Sequence, residues 1–154
     1  MKHLALQNTL IAGLASWVLG TPVLAASPHQ VFCHSRVLQG TYAYSGSGVT
    51  KDGSAPGVVY VQAGMESFDG RGHMVGYGSS KTSANDDSSN KRYEGSYTVN
   101  ADCTGTLTYE EDGSLLEENI YVSPDGSALR YLSRTKGQFW AGEETRISRK
   151  LIVR

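Results

Sequence analysis

The chain has no surplus of charge of either sign. Its 14 Lys and Arg stand against 15 Asp and Glu, for a formal net charge of −1. No basic stripe runs along it, so the electrostatic footprint of a nucleic-acid binder is missing. A polybasic or amphipathic membrane-binding segment is missing too. Proline is scarce, at four residues, and cysteine scarcer, at two. Helical spacing is absent: no stretch of about a dozen residues holds a 3.6-residue apolar period without a glycine or a turn cluster interrupting it. His29, His34 and His73 lack metal-ligand spacing, and Asn85, Asp86, Asp87 and Asn90 match no calcium loop. No serine sits in a nucleophile elbow, and the glycines of Phe68-Asp-Gly-Arg-Gly72 lack the strand-to-helix setting of a phosphate loop. The residues therefore point to no metal and no cofactor.

Long apolar runs are also lacking. The longest, Leu10 to Leu19, is interrupted by Gly13 and Ser16 and falls short of the roughly 20 residues a spanning helix needs. It follows the basic start Met1-Lys2-His3, breaks at Gly20-Thr21-Pro22 and leads into Val23-Leu24-Ala25. That order is the layout of a secretory signal peptide. The expectation is a signal over residues 1–25, cut after Ala25 or Ala26, and a single secreted or periplasmic domain over residues 26–154. No stable membrane insertion is expected after cleavage, and no lipobox precedes Cys33. In an oxidising compartment Cys33 and Cys103 are expected to pair. The bridge would close a loop of roughly 70 residues, worth about 4 kcal/mol in the chain-entropy picture.

What the chain has in quantity is glycine, 18 residues, and tyrosine, nine. After a short lead-in over residues 26–37, short alternating runs recur. They are Gly40–Ser45, Val58–Phe68, His73–Ser79, Arg92 to about Asn100, Cys103–Tyr109, Leu115–Val122, Ala128–Arg134 and Phe139–Arg149. Turn chemistry separates them, with Asp-Gly at residues 52–53, 69–70, 112–113 and 125–126. Residues 80–91 are polar and read as a loop. Eight such runs joined mostly by short turns predict an all-β, eight-stranded antiparallel up-and-down barrel. A two-sheet β-sandwich is the alternative, and the turns alone do not separate the two.

Four pieces of the chain resemble a known group. They are Cys33; Leu38-x-Gly-Thr-Tyr-x-Tyr44; Phe68-Asp-Gly-x-Gly72; and Gly95-x-Tyr-x-Val-Asn-x-Asp-Cys-Thr-Gly-Thr106. Together they resemble small secreted bacterial proteins that share the last motif. The resemblance implies an eight-stranded barrel similar to the calycin and allene oxide cyclase-like barrels, a class with ligand carriers and cyclases. No cyclase catalytic set matches this sequence, so none is carried over, and fold similarity alone does not assign function.

The candidate ligand-lining residues are aromatic first: Tyr42, Tyr44, Tyr93, Tyr97, Tyr109 and Trp140. Tyrosine-rich cores of this kind also arise from packing alone. Tyr93, Tyr97 and Val99 share one parity, as do Leu107 and Tyr109; Thr98, Thr104, Thr106 and Thr108 take the other. In the last run Trp140, Gly142, Glu144, Arg146 and Ser148 share a face, and Phe139, Ala141, Glu143, Thr145 and Ile147 share the opposite one. If Trp140 points inward, Glu144 and Arg146 follow it as a buried charge pair beside a polar site. If Phe139 and Ile147 point inward, both charges are solvated, the commoner arrangement. Three functions follow: a binding or structural module holding a small apolar ligand, an isomerase or cyclase using the barrel interior, or a surface protein acting through residues 80–91.

Overall fold

The computed structural model describes residues 32–51, 57–84, 87–111 and 113–153, without the side chains of 87 and 88. The expected signal peptide, residues 26–31 of the lead-in and the Asp52-Gly53 turn lie outside the described residues.

Eight strands follow in order: β1 Gly40–Thr50, β2 Val58–Phe68, β3 His73–Thr82, β4 Asp87–Val99, β5 Thr104–Glu111, β6 Ser114–Val122, β7 Ala128–Ser133 and β8 Gln138–Ser148. Each pairs antiparallel with the next, and β8 pairs back with β1, so the sheet closes into a barrel. The sandwich alternative is ruled out by that closing pair. Closure leaves no free sheet edge. Among the described residues no helix is long and apolar enough to cross a membrane.

Two expected boundaries need correction. Residues 80–91 are mostly strand, because β3 runs on to Thr82 and β4 starts at Asp87, paired through Ser80 with Ser88 and Lys81 with Asp87. β1 likewise runs past Ser45 to Thr50, paired on both sides. Low apolar content did not signal a loop in either place. A barrel wall needs only its inward residues buried, and here several of those are glycine, serine or tyrosine.

The expected Cys33–Cys103 disulfide is present, with Cα atoms 5.0 Å apart and a sequence separation of 70. It anchors the lead-in, and the Cys33 amide also donates to the Ala101 carbonyl at 3.1 Å. A short 3-10 turn over Ser35–Leu38 then drops Leu38, fully buried, into the barrel end among Tyr42, Phe68 and Tyr97. The last residues clasp the outside of the same end. Thr41 and Ser67 face outward yet are buried, because the amides of Ile152 and Val153 donate to their hydroxyls at 2.9 and 3.1 Å.

Most glycines within the strands are packing devices, not punctuation. A side chain at Gly46 or Gly142 would collide with the Tyr131 hydroxyl, and one at Gly78 with the Tyr44 hydroxyl. Each of these rings lies over bare backbone on another strand. The interior is thereby filled by large side chains that take the space their neighbours give up.

Candidate functional site

The β4–β5 hairpin has the parity its sequence implies. Val99 pairs with Gly105, Thr98 with Thr106 and Tyr97 with Leu107. Tyr93, Tyr97, Leu107 and Tyr109 are buried, while the Thr98 and Thr106 hydroxyls bond each other on the exposed face at 3.0 Å. On β8 the inward face is that of Trp140 and Glu144; Phe139 and Ile147 are 66% and 51% exposed. All eight residues singled out in the sequence, Tyr42, Tyr44, Tyr93, Tyr97, Tyr109, Trp140, Glu144 and Arg146, thus lie on inward faces. They do not form one site.

Tyr42 and Tyr97 belong to the lead-in end. Tyr42 donates to the Gly126 carbonyl at 2.5 Å and Tyr97 to the Ser35 carbonyl at 3.1 Å. Both rings pack edge-on against Phe68. Arg146 is at this end too, only half-buried, and the expected charge pair with Glu144 is not made. Successive inward positions sit two residues apart along a strand, and Arg146 turns to the rim while Glu144 stays inside.

Glu144 instead meets two acids that sequence reading missed, Glu66 on β2 and Glu118 on β6. All three carboxylic side chains are at most 5% exposed. Glu66 and Glu144 lie close enough that each alters the other's proton affinity. Tyr93 donates to Glu66 Oε1 at 2.8 Å. Tyr44 lines the same cavity beside Tyr93. Glu118 Oε1 accepts from Trp140 Nε1 at 2.8 Å and from the Tyr109 hydroxyl at 3.3 Å. Gln62 donates to the Tyr131 hydroxyl at 3.3 Å. The Oε2 atoms of Glu66 and Glu144 have no hydrogen-bond partner among the described residues.

Burial dominates the acidity of this cluster. Glu66 is pushed up to about 8, first by loss of water and then by the Glu118 charge, against the pull of the Tyr93 hydroxyl and of Glu144. Glu118 is pushed up to about 7 by burial, with Trp140 and Tyr109 holding it down. Glu144 is raised well above the usual range by burial and then by Glu66 and Glu118. Burial also raises Tyr44, Tyr93, Tyr109 and Tyr131, so these phenols stay protonated.

The cluster surrounds a cavity of about 20 Å³, whose lining runs from Tyr44, Glu66 and Glu144 out to Ser79, Ser80 and Glu111. That end is opposite the lead-in and coincides with a register shift in the β3–β4 pairing between Gly78 and Ser80. A space of this size holds about one water. No lysine, arginine or histidine is in the lining, and among the described residues no group of His, Cys, Asp and Glu is placed to hold a metal ion. The arrangement can bind a water and hold or pass protons; it has no room for a larger apolar occupant.

Comparison of the chain with protein-family models, with curated proteins and with solved structures gave no match.

Proposed function

We propose that the chain is an exported β-barrel module that works from its outer surface, with an interior devoted to holding the barrel closed. One observation carries this reading: the space inside is about 20 Å³ and is lined with carboxyls and phenols, whereas small-molecule pockets run to roughly 300 Å³ or more and are mostly apolar. A small apolar ligand held in the interior, as in the ligand-carrying barrels, has no support from this geometry. The outer wall offers more, since Val61 and Met65 on β2 and Phe139 on β8, the two strands that flank β1, are exposed and large exposed apolar side chains are the material of contact surfaces. Export, to the periplasm or the exterior, is supported by the disulfide and by the signal-like start of the sequence. The closed up-and-down topology supports kinship with the calycin and allene oxide cyclase-like barrels.

Titration with Nile red and with a long-chain fatty acid, followed by Trp140 emission, tests the reading. No saturable uptake is expected. Binding of one probe per barrel with a shift in Trp140 emission would overturn it.

A second reading, an isomerase or cyclase, rests on the Glu66–Glu144 carboxyl pair and the Tyr93 hydroxyl that donates to Glu66. Buried acids with raised proton affinity are what general acid–base chemistry uses. This reading needs the barrel end at Ser79 and Ser80 to widen for a substrate. Amide hydrogen exchange there as slow as in the β4–β5 hairpin would remove it.

A further inference from the structure

The geometry points to an oxyanion site at the lead-in end of the barrel, a cleft built by Arg36, Arg146 and Arg149 that takes a phosphate or sulfate group. The cleft has a volume of about 310 Å³ and is completed by Val37, Gln39 and Asp125. It lies at the end opposite the carboxyl cavity, because Arg146 follows Glu144 toward the end of β8 and Asp125 sits in the β6–β7 turn.

Arg146 is the central observation. It holds an inward position on β8, where the other inward side chains near this end are Tyr42, Phe68, Leu38 and Leu129. A half-buried guanidinium gives up part of its hydration and ordinarily recovers it from a carboxylate. Arg146 has none. Its Nη2 donates to the Asp125 carbonyl at 2.6 Å, its Nη1 reaches the Gln39 carbonyl at 3.4 Å, and its Cζ lies 5.6 Å from the centre of the Tyr42 ring. These neutral contacts from three parts of the chain fix the direction of the fork and leave its charge uncompensated.

Arg36 and Arg149 bring two more guanidiniums to the same cleft. Among the described residues both are exposed and neither enters an ion pair. The one acid in the lining is committed elsewhere: Asp125 Oδ1 accepts from the Ser127 amide at 3.0 Å and from the Ser127 hydroxyl at 2.8 Å. The cleft keeps a net positive charge when that carboxylate is counted. Its walls are rigid. The disulfide holds the 3-10 turn that carries Arg36, and Gly126 lies so close against the Val37 carbonyl that no side chain would fit there. Planar forks converging on one cleft match the oxygens of a tetrahedral anion, which is the chemistry arginine recognises best. The same chemistry could come from a free or small-molecule phosphate or from a lipid headgroup.

The test is calorimetric titration of the disulfide-bonded protein with inorganic phosphate and pyrophosphate, with sodium chloride at matched ionic strength as the blank. Saturable binding at one site per chain is expected. R36Q/R149Q should weaken it about tenfold or more, as loss of charge-assisted bonds does. R146K, which keeps the charge but loses the fork, should also weaken it. R134Q/K136Q, an equal charge loss at the other end of the barrel, should leave it unchanged. Unaltered thermal midpoints without anion show that the variants are folded. Co-sedimentation with phosphatidylglycerol vesicles that is lost in R36Q/R149Q assigns the phosphate to a headgroup; anion binding without vesicle capture assigns it to a soluble ligand. No saturable heat with either anion, or equal weakening by R134Q/K136Q, overturns the site. Because the inference rests on the module acting from its outside, Nile red uptake is measured on the same samples. Absent anion binding with a closed interior overturns the arginine site alone, and stoichiometric dye uptake overturns the outer-surface reading.

Discussion

Glu66 on β2 and Glu144 on β8 meet inside the barrel on either side of β1, close enough that each alters the other's proton affinity. Neither faces a basic side chain in the cavity lining, whose charged or titratable members are Glu66, Glu111, Glu118, Glu144, Tyr44, Tyr93, Tyr109 and Tyr131. Such a pair is stable only while it keeps its proton.

The first consequence is an inverted pH profile. The folded-state values of Glu66, Glu118 and Glu144 all lie above the usual glutamate value of 4.5. Over that interval the folded chain binds more protons than the unfolded one. Stability is therefore fully present below about pH 4.5 and is lost as pH rises through about 7 for Glu118 and about 8 for Glu66. Each group contributes on the order of 1.4 kcal/mol per pH unit while it is in its window. Urea midpoints between pH 4.5 and pH 9 should fall, and E66Q/E144Q should flatten the slope. Midpoints that rise or stay level would refute the assignment.

Trp140 reports on Glu118 directly, because the indole N–H donates to that carboxyl. In a chain beginning at residue 26 Trp140 is the sole tryptophan. Its emission should titrate with a midpoint near 7, and E118Q should abolish the transition. E118A, which leaves both the indole N–H and the Tyr109 hydroxyl without this acceptor, should cost about 2–4 kcal/mol. An emission spectrum indifferent to pH in the wild type would contradict the bond.

How much of this could be read from the sequence depended on distance along the chain. The inward parity of Tyr93, Tyr97, Leu107 and Tyr109 was legible because one tight hairpin carries strict alternation on both arms. The disulfide was legible because the chain has two cysteines, so Cys33 has a single possible partner. Glu66 and Glu118 were not, although each alternates with buried neighbours, Glu66 with Phe68 and Glu118 with Leu116 and Ile120. A charged residue is expected outside, and what brings these two inside comes from distant strands: Tyr93 for Glu66 and Trp140 for Glu118. The packing role of the strand glycines was hidden for a related reason. Only the closed barrel shows which ring lies over each.

The glycine–tyrosine contacts predict a selective rescue. G46A and G142A should each destabilise by about 1–3 kcal/mol. Adding Y131F should largely restore G46A, since the Tyr131 hydroxyl is its principal obstacle. It should not restore G142A, because the Ser45 carbonyl also blocks that position. Thermal melts of the four variants decide the matter, and equal rescue of both would be inconsistent with this packing.

The disulfide gives a further measurement. C33S/C103S should lose about 4 kcal/mol, and alkylation of the unreduced native protein should add no mass. Uptake of two alkyl groups before reduction would mean the thiols are free.

Tyr131 and Tyr44 each occupy space that belongs to two backbones, at Gly46 and Gly142 for one and at Gly64 and Gly78 for the other. The interior is therefore closed by a few removable pieces and not by a continuous lining. Trimming Tyr131 to alanine would uncover Gly46 and Gly142 together and leave a recess with a bare peptide floor and Glu118 and Glu144 in its wall. The scaffold would then be a receptor in waiting, with its acid already installed and its stopper a single phenol.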